Sequence, residues 1–319
     1  MIESQNLVFN RFAKVEFIYN DNKVIFTSED IDFNAKITLD MTNNSNKADI
    51  NIYNLPLKVE NLLSSAIPNI VTVRIYSGYD IKTKTEYGLV FTGILENIDT
   101  KKDNNTINSH FYCSEINPIY KNKLFQVSVK NPTKASVIIE KIMEKANTLE
   151  PKLSLIKPLE LKDDCIYERS KSFNGDLKNI LTRLAKDTKS IFILDNQTIQ
   201  FIEYKSEKMP KINCDPAKIL NITNSDIGYT ITMLFEHQMK IGHNLLIKMD
   251  GTRFIKNIDS SNDPHIISKI EHFINPKKDA HVTKVYVEVY SKIITKDETL
   301  KQEKLEKEKL EKNKIIIFF

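Results

Sequence analysis

Lys47-Ala48-Asp49-Ile50-Asn51-Ile52-Tyr53-Asn54-Leu55 alternates: Ala48, Ile50 and Ile52 fall on one face, Asp49 and Asn51 on the other. A period of two is what a strand with one buried face requires. The pattern recurs over Ile70–Tyr76, where Val71, Val73 and Ile75 oppose Thr72, Arg74 and Tyr76. Upstream, Lys14–Tyr19, Val24–Thr27 and Asp32–Asp40 are short and rich in Ile, Phe and Val. Pro56 opens a short helix over Leu57–Ala66 that Pro68 closes. Ser77-Gly78-Tyr79-Asp80 predicts a turn, and Gly88 and Gly93 punctuate the strands that follow. Residues 1–125 therefore read as an antiparallel sandwich or barrel.

The pattern changes near Asn131-Pro132. A helix over Thr133–Ala146 turns Val137, Ile138, Ile142 and Met143 toward a core. A second, over Ser172–Ala185, places Leu177, Ile180, Leu181 and Leu184 at i, i+3, i+4 and i+7, with Asp176 as its cap after Gly175. Ser190–Tyr204 reads as a hairpin turning at Asp195-Asn196-Gln197. Residues 126–205 thus form a small α+β domain. Over 206–291 the β pattern returns, with strands at Gly228–Leu234, His243–Met249, His265–Phe273 and Val282–Tyr290. The fold class expected is mainly β with an α+β insertion: two related β-barrel domains flanking a small α+β domain.

Residues 292–319 read as a charged helical tail with an apolar end. Lys296–Lys314 holds seven lysines and six acids, and Leu300, Leu305 and Leu310 are five apart. Each leucine steps about 140° around a helix, so no coiled-coil seam forms. Ile315–Phe319 is either a partner-docking peptide or an accident of truncation.

Shifting the chain by 176 positions lays Ile98-Asp99-Thr100-Lys101-Lys102-Asp103 over Ile274-Asn275-Pro276-Lys277-Lys278-Asp279. It also lays Val90, Phe91 and Ile94 over Ile266, Ile267 and Ile270, and Ile70 and Val71 over Leu246 and Ile247. Either two related β-domains flank a different middle one, or the match is chance in a lysine-rich chain.

Composition excludes several classes. At 41% hydrophobic and 28% charged residues, with a mean hydropathy of −0.34, the 319-residue chain reads as globular. Its longest apolar runs, about five residues, are far short of the ~20 that span a bilayer, so no membrane insertion is expected. Met1–Asn6 has neither a basic nor an apolar leader region, so no secretory export is expected. Cys113, Cys165 and Cys214 lie far apart, which argues for reduced thiols and against a disulfide framework or zinc site. A net charge of +4 is too small to imply a grip on nucleic acid. The 41 lysines and 44 isoleucines against 9 alanines follow from AT-rich codons.

No catalytic constellation emerges. The six histidines (His110, His237, His243, His265, His272 and His281) show no metal-ligand spacing. His110 and Cys113, three apart on an expected strand, point to opposite faces, which argues against a dyad. No nucleophile elbow, phosphate loop or dinucleotide fingerprint occurs. Glu140, Glu144 and Glu150 read as a solvated helical face rather than glycosidase acids. No enzyme activity and no catalytic, metal or cofactor-binding residue is expected, and no cofactor.

Three stretches together carry a resemblance. Lys47–Leu55, Val73–Tyr79 with Gly78-Tyr79, and Leu89–Ile94 with Phe91 and Gly93 resemble the opening domain of phage baseplate hub proteins. That family carries an Ala-x-Ile-x-Ile-Tyr-Asn-Leu strand (Ala48, Ile50, Ile52, Tyr53, Asn54 and Leu55 here), a Gly-Tyr turn and a Phe-x-Gly strand in this order. Phe173, Gly175, Leu177, Leu181 and Leu184 are similar to its middle domain. Ile241-Gly242 and the later Ile267–His272 are similar to its closing barrel, although Val282-Thr283 stands where the family often has Trp-Thr. The AT-rich style resembles spirochaete-type prophage proteins.

The resemblance implies a structural virion protein: a homotrimeric tail-tip hub joining a hexameric tail tube to a trimeric spike. Its partners are then itself, the tube protein, the spike protein and other baseplate proteins, in the virion tail and, during assembly, the host cytoplasm. Two related barrels per chain would make a pseudo-six-fold ring. The alternatives are another tail or tail-assembly component without the tip role, or a nucleic-acid or plasmid-maintenance binding protein.

Overall fold

Alternation does become strand. The computed structural model describes residues 10–20, 22–41, 46–67, 70–81, 84–115, 124–130, 132–148, 153–203, 209–247, 264–277 and 281–289. The first β region contains β1 (Arg11–Tyr19), β2 (Asn22–Thr27), β3 (Phe33–Asp40), β4 (Lys47–Tyr53), the helix α1 (Leu57–Ala66), β5 (Thr72–Ile81), β6 (Lys84–Asp103) and β7 (Thr106–Ser114). In β4, Ala48, Ile50 and Ile52 are fully buried, as the alternation predicts. The expected turn at Ser77–Asp80 is instead the interior of β5. Gly78 lies opposite both Phe12 and Tyr87, whose rings meet at 4.5 Å. At φ +153° a Cβ there would sit 2.2 Å from the Glu86 carbonyl oxygen, so the glycine permits close approach rather than chain reversal.

The middle region contains β8 (Phe125–Val129), β9 (Thr133–Lys134), α2 (Ala135–Ala146), β10 (Ser154–Leu155), β11 (Ile166–Tyr167), β12 (Lys171–Gly175), α3 (Leu177–Asp187), β13 (Ser190–Asp195) and β14 (Thr198–Glu203). The second helix begins later than expected because Ser172–Gly175 is drawn into β12, which pairs with β8. Asp176 caps it, accepting from the Asn179 N–H at 2.9 Å. On α2 the buried stripe is Ala135, Ile138, Ile139, Ile142, Met143 and Ala146. Val137 lies off that stripe and is exposed, contrary to expectation. The β13–β14 hairpin turns at Asn196-Gln197, both with positive φ, as a two-residue connection requires.

The last region contains β15 (Lys211–Cys214), a 3-10 turn (Pro216–Lys218), β16 (Ile219–Ser225), β17 (Gly228–Leu234), β18 (Asn244–Ile247), β19 (His265–Ile274) and β20 (Val282–Val289). The expected charged tail and Tyr290 lie outside the described residues.

The two outer β regions repeat one topology. In the first, the strands lie side by side as β1-β5-β6-β7-β4-β3; in the second, as β15-β18-β19-β20-β17-β16. Matched in chain order, corresponding strands occupy corresponding places. Neighbours pair antiparallel throughout except β15 with β18, which are parallel. Asn244 opposite Ile266 repeats Thr72 opposite Ile94, a step of 172 (244 − 72 and 266 − 94). The Leu95 N–H donates to Val71 O and the Ile267 N–H to His243 O, again 172 apart (267 − 95). A bulge interrupts β6 after Leu95 and β19 after Ile267. The element order read at a shift of 176 is thus real, but its register is four residues out. At 172 the lysines of Lys101-Lys102-Asp103 have no lysine counterparts.

The two closed barrels expected are not seen among the described residues. Among the described residues the sheet has free ends at β2, β15 and β16 and no closed barrel. The outer edge of β3 is taken by β19 of the other region, from Lys269 opposite Asp40 to Ile274 opposite Ala35. A ladder between regions therefore replaces closure within each. One core cluster runs through both regions, from Phe17 and Ile50 to Ile231 and Ile270. A second lies between α2, α3 and the middle strands. The β13–β14 hairpin serves both, Ile193 and Ile202 toward the first and Ile199 and Phe201 toward the second.

Candidate assembly interface

The β3·β19 ladder is buried on one face and patterned on the other. Ile37, Leu39, Ile270 and Ile274 are buried in the core. On the opposite face, Glu271 is gripped by Lys269 at 3.1 Å and Lys36 at 3.7 Å, and accepts a hydrogen bond from the Tyr286 hydroxyl at 2.7 Å. Burial opposes its charge, but these partners outweigh burial and hold the carboxyl below its usual range. Lys36 and Lys284 each lie 5.3 Å from the Phe273 ring centre, and Lys269 lies 4.9 Å from that of Tyr286. The lysines here bridge side chains within the sheet.

A second seam joins β5 and β6 to the segment after β17. Phe235 stacks on His281 at 4.6 Å and lies 5.2 Å from His272; His281 meets Tyr79 edge-on at 5.7 Å. Burial, joined by neighbouring positive charge, pushes His272 and His281 down to about 3, so both are neutral at pH 7. His272 Nδ1 bonds the Thr283 hydroxyl at 3.0 Å. Gly88 admits the His237 ring, which a Cβ would meet at 2.4 Å. Beside it Lys218 pairs with Glu236 at 2.6 Å.

A third seam ties the middle region to the sheet. The Asn46 amide donates to Glu115 Oε2 and, at 2.8 Å, to Leu194 O; the Gln197 N–H donates to Glu115 Oε1 at 2.8 Å. Burial, with Asp195 adding to it, raises Glu115 to about 8. Gly242, at φ +76°, lies against Ile193, where a Cβ would be 2.0 Å from Cδ1.

Most of the residues that carry the resemblance are buried in packing, whereas Asn54 is exposed and Tyr53 and Gly175 are half-buried. Ala48, Ile50, Ile52, Leu55, Tyr79 and Phe91 belong to the sheet core. Tyr53 accepts a hydrogen bond from the Asn34 amide at 2.8 Å. Asn54 takes a positive φ and accepts from the Ile107 N–H at 3.0 Å. A Cβ on Gly93 would strike the Phe91 ring. Phe173, Leu177, Leu181 and Leu184 line the second core, with Gly175 closing β12. Tyr79, Gly242 and His272 sit at the seams described above, and Gly78 at the close approach of β5 to β6. Sequence reasoning missed Glu115, Phe235 and His281; one available signal was the place of His281 just before the alternating Val282–Val289.

Among the described residues no group of histidine, cysteine and acidic side chains could hold a metal ion. No helix among them is long and apolar enough to cross a membrane.

No protein-family model matches the chain, and no curated protein matches it. Solved structures do. The tail protein from Neisseria meningitidis MC58 aligns over 86% of this chain and 96% of its own, with TM-score 0.58 and 10% identity. The 43 kDa tail protein of prophage MuSo2 from Shewanella oneidensis aligns over 86% and 98%, with TM-score 0.55 and 10% identity. A Francisella PdpA–VgrG complex chain aligns over 88% of this chain and 58% of its own, with TM-score 0.59 and 8% identity. The chain shares its fold with these tail proteins. At such identities the likeness is one of fold alone.

Proposed function

We propose that the chain is a structural component of a contractile phage tail, the hub at its tip. The observation that carries this reading is the duplicated six-strand topology, on a fold shared over 86% of this chain with the Neisseria tail protein and the MuSo2 prophage tail protein. A chain holding two copies of one β unit supplies six units per trimer. Such a ring matches a hexameric tube on one face and a trimeric spike on the other, with residues 1–125 and 206–291 as ring domains and 126–205 as the inserted one. Its place is then the virion tail, and its partners are itself, the tube protein, the spike protein and other baseplate proteins.

Light scattering on a size-exclusion column tests the assembly. A mass near 111 kDa, three times the 36.9 kDa chain, is expected. A monomer at every concentration up to tens of micromolar overturns the hub reading.

A further inference from the structure

We infer that the chain joins a second copy of itself through a β ladder between Asp99–Lys102 of one copy and Ile222–Ser225 of the next. The inference deepens the trimeric reading and rests on it. Its template is inside the chain. β19 pairs on one side with β20; on the other, its first residues meet β18 and its last, Lys269–Ile274, meet β3. β6 is the counterpart of β19. It pairs with β7 on one side, and on the other with β5 only as far as Ile94. The edge of Asn97–Lys102, counterpart of Lys269–Ile274, has no ladder partner among the described residues.

β16 is the counterpart of β3. It pairs with β17 and, among the described residues, with nothing else. Asn221, Thr223, Asn224 and Ser225 are exposed there. The two halves of a joint used once inside the chain thus stand unused at its two ends. An exposed, uncovered strand edge is what proteins avoid unless a partner takes it. Leu220 of β16 and Ile107, opposite Lys102 on β7, are exposed apolar side chains at the Lys102 end of the proposed ladder.

The register follows from the internal joint. Through β4 and β17, Ala35, Lys36, Ile37 and Thr38 correspond to Ile222, Thr223, Asn224 and Ser225. Transferring the β3·β19 pairing sets Asp99 opposite Ser225, Thr100 opposite Asn224, Lys101 opposite Thr223 and Lys102 opposite Ile222. The contact is head-to-tail, so each copy gives one edge and receives the other, and rings close by rotation.

Disulfide trapping tests it. The Met41 N–H donates to Ser268 O at 2.9 Å, which makes that pair hydrogen-bonded; alternation leaves Lys36·Phe273 without ladder bonds. Their counterparts, Thr223 and Lys101, would then have Cα atoms ~4.5 Å apart, within disulfide reach. Cys113 and Cys214 are buried, so Cys165→Ser removes the more accessible native thiol. In that background, Lys101→Cys with Thr223→Cys should give covalent dimers and trimers under mild oxidation, lost on reduction. Each single variant alone should give none, because a head-to-tail joint never brings a residue against itself. A mixture of the two single variants should stop at dimers.

Asp99→Cys with Asn221→Cys, four residues out of register, should stay uncrosslinked; equal trapping there overturns the register. A 111 kDa particle without the Lys101–Thr223 bridge overturns the edge pairing and leaves the trimer standing. A monomer without the bridge overturns both.

Discussion

The first and second β repeats share strand order and hydrogen-bonded neighbours, yet they treat equivalent edges differently. β3 is covered by β19, whereas its counterpart β16 is bare among the described residues. The side chains follow that difference. Ile37 of β3 is fully buried, while Asn224, its counterpart, is exposed. The lesson is that topology was copied and the joint kept, but only one of its two uses lies within a single chain. Polar residues on β16 keep an uncovered edge soluble until a partner arrives.

The sharpest way to break the comparison is to place the same charge at both positions. Ile37→Asp buries a carboxylate without a partner, and should cost more than about 4 kcal/mol and unfold the chain. Asn224→Asp should leave the melting of the isolated chain within about 0.5 kcal/mol of the parent. Thermal denaturation of both variants decides it. Equal losses would mean that β16 is covered within the chain.

Phe235→Ala probes the seam between repeats next. The ring touches His272 and His281, and truncating a buried aromatic typically costs ~3–5 kcal/mol. Urea unfolding should show one cooperative transition at a lower midpoint. Two transitions would show that the repeats fold as separate units despite their common core.

How much of this was legible in the sequence depends on the direction in which the information points. Alternation of Ala48, Ile50 and Ile52 reports the two faces of a strand, and those faces were read correctly. Which strand lies beside β3 is an in-plane question, answered by backbone groups that every residue carries. That is why β3·β19 looked like two barrels. Ser77–Asp80 misled for a related reason: a glycine needed for close approach in a sheet has the same letter as one needed for a turn. Glu115 was illegible because it is an ordinary acidic residue until Asn46 and Gln197, tens of positions away, surround it.

Acidity and alkalinity should strike different seams. His272 and His281 are held neutral down to about 3, whereas in the unfolded chain they protonate near 6.5. Between those values the unfolded state binds more protons, so stability falls as pH drops from 6.5, by up to ~1.4 kcal/mol per unit per histidine. Glu115, raised to about 8 from 4.5, behaves oppositely: the folded state holds its proton, and stability falls as pH rises through that window. Glu115→Gln should remove the loss that accrues from pH 4.5 to about 8, and His281→Phe part of the loss that accrues below 6.5. Glu115→Ala, which leaves one Asn46 amide hydrogen and the Gln197 N–H without an acceptor, should cost ~1–3 kcal/mol at pH 6. A pH profile unchanged by either isosteric variant would place the titrating groups elsewhere.

The smallest effect tests whether the charged face of the joint matters for stability at all. Lys36 is half exposed and reaches Glu271 at 3.7 Å, while Lys269 sits closer at 3.1 Å and Tyr286 supplies a hydrogen bond. An exposed lysine in such a trio contributes ~0–1 kcal/mol, less at high salt. Lys36→Ala should therefore barely move the urea midpoint, and 1 M salt should erase the difference. Glu271→Ala should cost more, because it leaves Lys269 and the partly buried Tyr286 hydroxyl without their acceptor. If Lys36→Ala proved as costly as Ile37→Asp, the joint would be held by its charged face, and the exposed Asn224 that stands where β3 has buried Ile37 would no longer explain why that edge stays soluble.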